Sequence, residues 1–462
     1  MIFFCIGMTY AGSTASLAVP SAAHSFASVT ASDVMGLGIN PASATGDSKQ
    51  FSFDVGLILF ALDIDVHGPE QVLVEERYEE FPAGWNPIRG NISTGGISPS
   101  PNFALRIPIG SFGIGWNTYL PYATGGSFDE RGAQRYFATS GQLIFLENAL
   151  SLAKSWKLDS TRVKVGASVR HLYGNAITQS SNDTGTIIYG LTGDDSLILD
   201  PIMEGEKYAS GTGQALGYGV GIHFEHPNFS LHGAYRSSVP IELTGDFENQ
   251  FSKSLTVSVQ GTSVINMQLP QELYLGATTP IGESFRFRLD GGWVNWSQNR
   301  YTNVRVRDIE VVSDSPFFQE ILESYNLTTN DLITADQNLT IDSGMRASYF
   351  ARFGVDVHVH DTIEIRSRIG YSTAAVPLEY MTFSNGDYPA LQLDLGGIWK
   401  PFSWGKLTLN TLYLAHPERV VDQEMSVFSP YNDPQEGRVG FSGEGRYRFF
   451  MGRIGSSLIV DF

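Results

Sequence analysis

A long alternating segment, residues 228–247, is the strongest constraint on what this chain can fold into. Its apolar residues Phe229, Leu231, Tyr235, Val239, Ile241 and Leu243 alternate with Ser230, His232, Arg236, Ser238, Glu242 and Thr244. Strand side chains point to opposite faces with period two, so the pattern predicts an apolar face and a polar face. Soluble strands usually have about five or six residues, whereas a membrane-spanning strand needs about 9–11. We therefore predict a transmembrane β-strand with Arg236 and Glu242 facing the lumen.

Composition excludes several other classes of protein. No apolar run approaches the roughly 20 residues of a spanning helix, and the longest one, 55–62, ends at Asp63. A net charge of -18 argues against a nucleic-acid partner, because few cations are left to replace phosphate counterions. The single cysteine, Cys5, excludes a disulfide framework and a cysteine-based zinc site. Abundant glycine (49 residues) and aromatics (12%) fit a barrel with bends and interfacial girdles.

Alternating segments separated by turn signals continue to the end of the chain. We predict fourteen strands, at 51–66, 102–109, 112–124, 136–157, 162–175, 214–225, 228–247, 254–280, 284–306, 346–360, 362–375, 390–400, 404–415 and 438–462. Their connections alternate between tight turns and longer polar segments, the latter at 67–101, 176–213, 307–345, 376–389 and 416–437. Outer-membrane barrels have short periplasmic turns and long outer loops, so both termini are expected to face the periplasm. Residues 315–332 have the period of a helix and predict one in an outer loop.

Several separate motifs resemble the FadL-type family of outer-membrane transporters for long-chain fatty acids and, in some members, aromatic hydrocarbons. The element Asn40, Pro41 and Ala42 is similar to the family's NPA motif, and YRSSVPIELTG (235–245) resembles its central strand. LPQELYLGATTPIG (269–282), GGWVNWSQ (291–298) and GYSTAAVP (370–377) also fit. The resemblance covers about residues 30–462. It implies a fourteen-stranded antiparallel barrel with an N-terminal lumen hatch and a lateral exit through a kinked third strand.

Three regions follow from this interpretation. Residues 1–11 form a partial signal segment, 12–50 a hatch, and 51–462 a transmembrane barrel with long extracellular loops. The hatch segment is rich in small residues that could fill a lumen, and a disordered leader is the alternative. The connection at 247–254 is shorter, and those at 67–101 and 307–345 are longer, than the family pattern implies. The outer site at which the family captures its substrate is therefore the part that the sequence predicts least well.

Charged residues on the predicted lumen face are candidates for substrate binding. An arginine guanidinium can bind a fatty-acid carboxylate through two parallel hydrogen bonds. The candidates are Arg106, Arg170, Arg236, Arg352, Arg366 and Arg368. The same face carries Asp54, Glu242, Asp290, Asp356, Glu364 and Asp394. The alternative interpretation is therefore that these charges pair with one another and stiffen the barrel.

The third strand carries a candidate lateral opening at Leu120, Pro121, Gly125 and Gly126. Proline cannot donate to the ladder and glycine relaxes it, so a kink is physically reasonable, although Pro121 could also simply end the strand. No GxSxG elbow, Walker loop or dinucleotide fingerprint is present, so we expect no catalytic residues and no cofactor. Asp356, His358 and His360 share a strand face but lack a further histidine nearby, so we expect no metal.

These expectations combine into one function. We expect a monomeric channel in the outer membrane of a Gram-negative-type bacterium, with outer-membrane lipid around it and no enzymatic activity. It would admit hydrophobic molecules, most readily long-chain fatty acids, by passive diffusion past the hatch. The alternatives are a transporter of aromatic or alkane hydrocarbons and a related barrel with a structural or secretion-associated role.

Overall fold

The protein forms one closed antiparallel β-barrel. The computed structural model describes residues 34–67, 89–132, 134–135, 138–185, 203–252, 257–313, 315–316, 320, 323, 337–381, 387–422 and 445–462. Each span across the barrel pairs with the spans before and after it in the chain, and the first strand also pairs with the last, over Gln50–Val66 against Gly445–Asp461. Closure leaves no free sheet edge at this seam, which is what a strand structure in lipid requires.

Nineteen strand segments make up fourteen spans across the described residues. They are β1 (Gln50–His67), β2 (Arg89–Ile109), β3 (Phe112–Ser127), β4 (Ser140–Leu158), β5 (Thr161–Asp183), β6 (Glu204–His226), β7 (Phe229–Arg236), β8 (Val239–Gln250), β9 (Val257–Leu269), β10 (Glu272–Ile281), β11 (Phe285–Val294), β12 (Tyr301–Ser313), β13 (Gln337–Asp342), β14 (Ser348–His360), β15 (Ile363–Ser372), β16 (Ala390–Phe402), β17 (Gly405–Ala415), β18 (Arg419–Val421) and β19 (Gly445–Asp461). Five spans are each divided in two, namely β7–β8, β9–β10, β11–β12, β13–β14 and β17–β18. The predicted number of spans is confirmed.

The outer surface is apolar in the way that the strand periodicity predicts. Along β6, Leu216, Tyr218, Val220 and Ile222 point outward and are exposed, and they alternate with inward glycines. Along β14, Tyr349 and Phe353 point outward, whereas Phe350 and Arg352 are buried. Such an apolar band is the surface that faces lipid in a transmembrane barrel.

The tight turns lie at one end of the barrel. Gly110, with φ +61°, lies in the turn between β2 and β3, and Gly282, with φ +63°, lies in the turn between β10 and β11. A positive φ has little cost only for glycine, which explains the residue type at both turns. The first residues of β1 and the last of β19 lie at this same short-turn end.

The opening segment 228–247 is not one strand with a single apolar face. β7 ends at Arg236 and β8 begins at Val239, and the pairing with β6 shifts by one residue between these two positions. A shift of one residue exchanges the two faces of a strand. Val239, Ile241 and Leu243 are therefore buried inside the barrel, and Glu242 is exposed outside it. The predicted lumen position of Arg236 is correct and that of Glu242 is wrong.

Several predicted boundaries also need correction. The second strand begins at Arg89 rather than at 102, and β5 and β6 extend to Asp183 and from Glu204, well into connections predicted as loops. In these extensions β5 and β6 pair with each other without a register shift, from Arg162–Glu225 to Asp183–Glu204. The signal segment 1–11, residues 12–33 of the hatch and most of the predicted helix 315–332 lie outside the described residues. Within the described part of the chain, no helix has the length and apolarity needed to cross a membrane.

Candidate functional site

The barrel interior is divided into two layers along its axis. Near the short turns, inward side chains are charged or small, as Ser151 and Glu147 are on β4. Toward the long loops, inward side chains of the same strand are apolar, as Phe145 and Leu143 are. The same change occurs on β19, where buried Arg453 is followed, toward the long loops, by buried Met451, Phe449 and Tyr447.

The apolar layer, as we call the half toward the long loops, is a continuous buried cluster. Its members, on the strands and on the connections between them, include Leu62, Ile64, Ile92, Tyr122, Leu143, Phe145, Leu172, Ile241, Leu243, Phe247, Met267, Trp296, Val304, Val306, Met345, Met381, Leu412, Leu414, Tyr447 and Met451. Four of them are methionines, whose flexible side chains repack around differently shaped apolar partners. A hydrophobic molecule entering from the long-loop end would meet this layer first.

A buried charged cluster forms the floor of the apolar layer. This ionic floor consists of Glu147 on β4, Arg170 on β5, Arg236 on β7 and Glu272 on β10. Arg236 donates to Glu272 Oε2 and to Glu147 Oε2, both at 2.6 Å. Arg170 donates through Nη2 to Glu147 Oε2 at 2.8 Å and through Nε to Glu147 Oε1 at 3.1 Å. Two arginines and two glutamates therefore cancel in charge.

Three tyrosines tie the ionic floor to its surroundings. The Tyr119 hydroxyl lies 3.2 Å from Glu147 Oε1 and 3.1 Å from the carbonyl oxygen of Gly38, and can donate to either. Tyr122 and Tyr274 donate to the two oxygens of Glu272. The Tyr122 ring also packs against Trp296, with ring centroids 5.7 Å apart, and so belongs to the apolar layer as well. Buried ions need this degree of hydrogen bonding to offset their loss of hydration.

The other four predicted lumen arginines also lie inside the barrel, where each has an acceptor or an acidic residue beside it. Arg106 donates to Gln50 Oε1 at 2.6 Å and to the carbonyl oxygen of Ser43 at 3.3 Å. Arg366 forms a 2.5 Å ion pair with Glu364. Arg352 lies opposite Asp290 in the β11–β14 register, and Arg368 lies opposite Asp394 in the β15–β16 register. The structure thus joins Arg170 and Arg236 in one cluster and places the other four elsewhere along the lumen.

The barrel wall has a gap in pairing between β2 and β3. Their register runs from Ile109–Phe112 to Asn102–Tyr119 and stops there, while β2 stays paired with β1 as far as Arg89. β3 continues to Ser127 with β4 as its ladder partner, and Thr94 Oγ1 donates to the carbonyl oxygen of Ser127 at 2.6 Å. The gap therefore lies beside the apolar layer, between its lower end at Tyr119 and its upper end at Ser127.

A β-bulge at Leu120 and Pro121 begins this gap. Tyr119 is opposite Glu147 and Tyr122 is opposite Phe145. Over this stretch β3 therefore advances three residues while β4 advances two, so β3 has one extra residue. β3 therefore continues past Pro121 with a bulge rather than ending there, and the lateral opening at Leu120 and Pro121 stays a prediction. Gly125 and Gly126, which were predicted with them, pair regularly with Gln142 and Gly141 and line the gap without forming a kink.

The motif Asn40, Pro41 and Ala42 is docked against the inner wall just below the ionic floor. Asn40 Nδ2 donates to the carbonyl oxygen of Gly233 at 3.0 Å and lies 3.4 Å from that of Ile222, while its Oδ1 accepts the N–H of Ala42 at 3.0 Å. Pro41 begins a short 3-10 helix (Pro41–Ala44) whose residues are all buried. Glycines make this contact possible, because a Cβ at Gly221 would lie 1.9 Å from Asn40 Oδ1.

We predict that Gly221→Ala displaces this segment, because the new methyl group overlaps Asn40. Overpacking of this kind costs typically about 1–3 kcal/mol, so the melting temperature should fall and ion conductance in planar bilayers should rise. Gly233→Ala is the matched control on the adjacent strand, since its Cβ would meet ordinary contacts of 3.4 and 3.7 Å. Equal behaviour of the two variants would show that Asn40 does not hold the segment in place.

Asp387 ties down the loop between β15 and β16, outside the membrane-spanning strands. Its carboxylate accepts the N–H groups of Ala375, Val376 and Tyr388, the last two at 3.2 and 2.9 Å. Ala375, Val376 and Tyr388 belong to the apolar layer, so the loop covers part of it. Burial raises the pKa of Asp387 to about 7, against the lowering effect of these hydrogen bonds and of Arg419.

The raised pKa predicts that this loop loosens as pH rises. Between the ordinary value of 3.8 and about 7, the folded state holds a proton on Asp387 that the unfolded state has lost. The contribution to stability therefore declines as pH rises through this range and is level above it. Amide hydrogen exchange at Ala375 and Val376, corrected for intrinsic rates, should show weaker protection above pH 7 than well below it. In Asp387→Asn the dependence should vanish, and its persistence there would assign it to another group.

Sequence reasoning missed both acids of the ionic floor. Glu147 lies on the same strand face as Leu143 and Phe145. The rule that apolar faces point to lipid therefore predicts that Glu147 points out of the barrel. Glu272 alternates with Leu273 and Leu275, which are exposed, so periodicity alone could have found it. Within the described residues, no group of three or more His, Cys, Asp or Glu side chains is placed to hold a metal ion.

Comparisons with known proteins agree with this architecture. The family model described as outer membrane protein transport protein (OMPP1/FadL/TodX) matches residues 9–397. A search of curated proteins found no match.

Solved structures with the same fold include a FadL homologue of Pseudomonas aeruginosa, with a TM-score of 0.69, 14% identity and coverage of 97% of this chain and 98% of that one. The toluene transporter TodX of P. putida has a TM-score of 0.59 and 12% identity, covering 92% of each chain. The toluene transporter TbuX of Ralstonia pickettii has a TM-score of 0.58 and 13% identity, covering 98% of this chain and 99% of that one. At such identities these likenesses show the fold alone.

Proposed function

This chain belongs to the OMPP1/FadL/TodX family of outer-membrane transport proteins, and we propose that it carries hydrophobic molecules from its apolar layer sideways through the gap between β2 and β3. Its place is the outer membrane of a Gram-negative bacterium, where it is a channel for hydrophobic compounds. The observation that carries the proposed route is that pairing between β2 and β3 stops at Asn102 and Tyr119, at the level where the lumen turns apolar.

Passage straight along the axis is opposed by the ionic floor. A hydrocarbon moving from the apolar layer toward the short-turn end would have to separate Arg236 from Glu147 and Glu272, all of which are buried. Breaking a buried ion pair costs about 3–5 kcal/mol without any compensating contact from an apolar molecule. The gap lies above this floor, so a sideways route leaves the ion pairs intact.

The segment 34–49 supports a closed short-turn end. Leu37 and Ala44 are buried, and Asn40 is bonded to the wall at β6 and β7. We infer that this segment is the described part of a hatch and that it stays in place during transport. The barrel closes within one chain, which is consistent with action as a monomer.

The charge balance of the floor favours neutral hydrocarbons, aromatic or aliphatic, as the substrate. A fatty-acid carboxylate would need an arginine, but Arg236 already binds two glutamates and Arg170 binds Glu147. An incoming carboxylate would have to replace one of these, whereas a neutral molecule needs only apolar contacts. Toluene transporters among the structural relatives are consistent with this choice.

Long-chain fatty acids are the second candidate, and one observation favours them. Arg236 lies close to the apolar layer, because its partner Glu272 also accepts a hydrogen bond from Tyr122, which belongs to that layer. A fatty acid whose tail lies in the apolar layer could therefore place its carboxylate next to Arg236 in the ionic floor.

Binding of oleate and of methyl oleate to the purified protein separates these two candidates, because the molecules share one tail. Neutral-substrate recognition predicts that the ester binds at least as tightly as the acid. Clear preference for the acid would support the fatty-acid candidate and contradict the neutral one.

A polar substitution in the apolar layer tests the proposed binding region itself. Met267→Gln should weaken binding of either molecule about tenfold, since burying an amide without a partner costs about 1–3 kcal/mol. Glu242→Gln is the matched control, because Glu242 lies on the strand beside Met267 but is exposed. An unchanged affinity in the Met267 variant would remove the apolar layer from the substrate path.

A further inference from the structure

A second candidate binding region lies at the opposite end of the lumen from the apolar layer. It is a cavity of about 500 Å³ at the short-turn end, below the segment 34–49. Gly46 and Ser48 of that segment form one side, and Pro227 and Pro280 at the turns form another. Because the family places short turns in the periplasm, we call it the periplasmic cavity. Its size is within the range of small-molecule sites.

The periplasmic cavity is strongly cationic in a chain with a net charge of -18. Six basic side chains line it: Arg106, Arg162, Lys164, Arg286, Arg288 and Lys406. Three carboxylates also line it, from Asp47, Glu225 and Asp461. A fourth, Asp356, pairs with Arg288 from beside the cavity. Six positive charges therefore face four negative ones, which leaves an excess of two.

A buried histidine in this cavity lacks a hydrogen-bond partner. His232 lines the cavity and is 6% exposed, and neither of its ring nitrogens has a partner among the described residues. Behind it His223 is fully buried, with its ring centroid 4.5 Å from that of His232. Buried polar groups in folded proteins are nearly always hydrogen-bonded, so an unpartnered one facing a cavity indicates a missing partner.

We propose that the periplasmic cavity binds a small hydrophilic dianion of the phosphate or dicarboxylate class. The excess of two positive charges matches such an ion, and His232 supplies an N–H donor toward it. The cavity differs from the apolar layer in kind, because its lining offers mainly charged and hydroxyl groups and suits no hydrocarbon. An anion there contacts both Gly46–Ser48 and the barrel wall, and so holds the segment in place.

Thermal unfolding of the detergent-purified full chain tests this site. Sodium phosphate and sodium succinate should each raise the melting temperature saturably, whereas sodium chloride at equal ionic strength should not. Equilibrium dialysis with labelled inorganic phosphate should give one site per chain. Equal stabilisation by chloride, or the absence of saturable phosphate binding, would overturn the proposal.

Two lysines at the same end provide a matched pair of variants. Lys406→Gln removes a cation that lines the cavity, whereas Lys400→Gln removes one on the adjacent strand that does not. Losing a charge-assisted contact should weaken phosphate binding about tenfold in the first variant and leave it unchanged in the second. Arg286→Gln provides a second lining variant, should Lys406→Gln fold poorly. Equal weakening by Lys400→Gln would mean general electrostatic attraction and would contradict a defined site.

Discussion

Repairing the ladder between β2 and β3 is expected to abolish uptake of hydrophobic molecules while the barrel stays folded. Deleting Pro121 leaves Tyr119 and Tyr122 two steps apart, as their partners Glu147 and Phe145 are, so the bulge disappears without exchanging the faces of β3. Pro99→Thr and Pro101→Thr restore two N–H donors on β2 where pairing with β3 is absent. Uptake of a labelled hydrocarbon by cells carrying the triple variant should fall to the level of cells without the protein.

Pro108→Thr is the control for the loss of proline from β2. Pro108 lies on the same strand but in its paired part, opposite Gly113, so uptake should be unchanged. Heat-modifiable mobility on gels confirms that each variant is a folded barrel. Full uptake by a folded triple variant would show that substrates do not leave between β2 and β3.

Glu147→Ala is expected to be the most destabilising single change in the ionic floor. Among the described residues, Glu147 is the one carboxylate in an ion pair with Arg170 and one of two in ion pairs with Arg236, and all three side chains are buried. Removing one partner of a buried ion pair costs about 3–5 kcal/mol, because the remaining charge is left without compensation. Urea unfolding in detergent measures this loss. Because the floor would then be open, leakage of small hydrophilic solutes should also rise.

Glu379→Ala is the control for loss of an ion pair in general. Glu379 pairs with Arg346 at 2.9 Å, but both side chains are exposed, and exposed pairs contribute little to stability. Similar losses from Glu147→Ala and Glu379→Ala would contradict a structural role for the ionic floor.

Strand periodicity was enough to predict the barrel and much of its interior. Alternation along β6 and β14 places apolar residues outside and Arg352 inside, because lipid and lumen impose opposite preferences on successive residues. The family resemblance located the NPA element, and Pro121 marked an irregular position in β3 without deciding between a kink and a strand end.

The division of the lumen into two layers could not be predicted in this way. The face of β8 depends on a one-residue shift after Arg236, which reverses Ile241 and Glu242 although the alternation resumes in the same phase after Ser237 and Ser238. An apolar interior also removes the contrast between lipid and lumen faces, which is why Glu147 was missed. The gap beside β3 arises because β2 and β3 stop pairing at Asn102 and Tyr119. Where two strands stop pairing is a property of the assembled sheet and cannot be read from either strand alone.

Mapping the path of a photoreactive hydrocarbon tests the proposed route most directly. A diazirine-bearing alkane, activated during uptake and followed by mass spectrometry, should label Phe145 and Met267 in the apolar layer and residues 95–101 and 120–126 along the gap. Residues of the periplasmic cavity, such as Lys164 and His232, should remain unlabelled. Labelling of the cavity instead of the gap would mean that substrates pass the ionic floor along the barrel axis, and would contradict sideways exit.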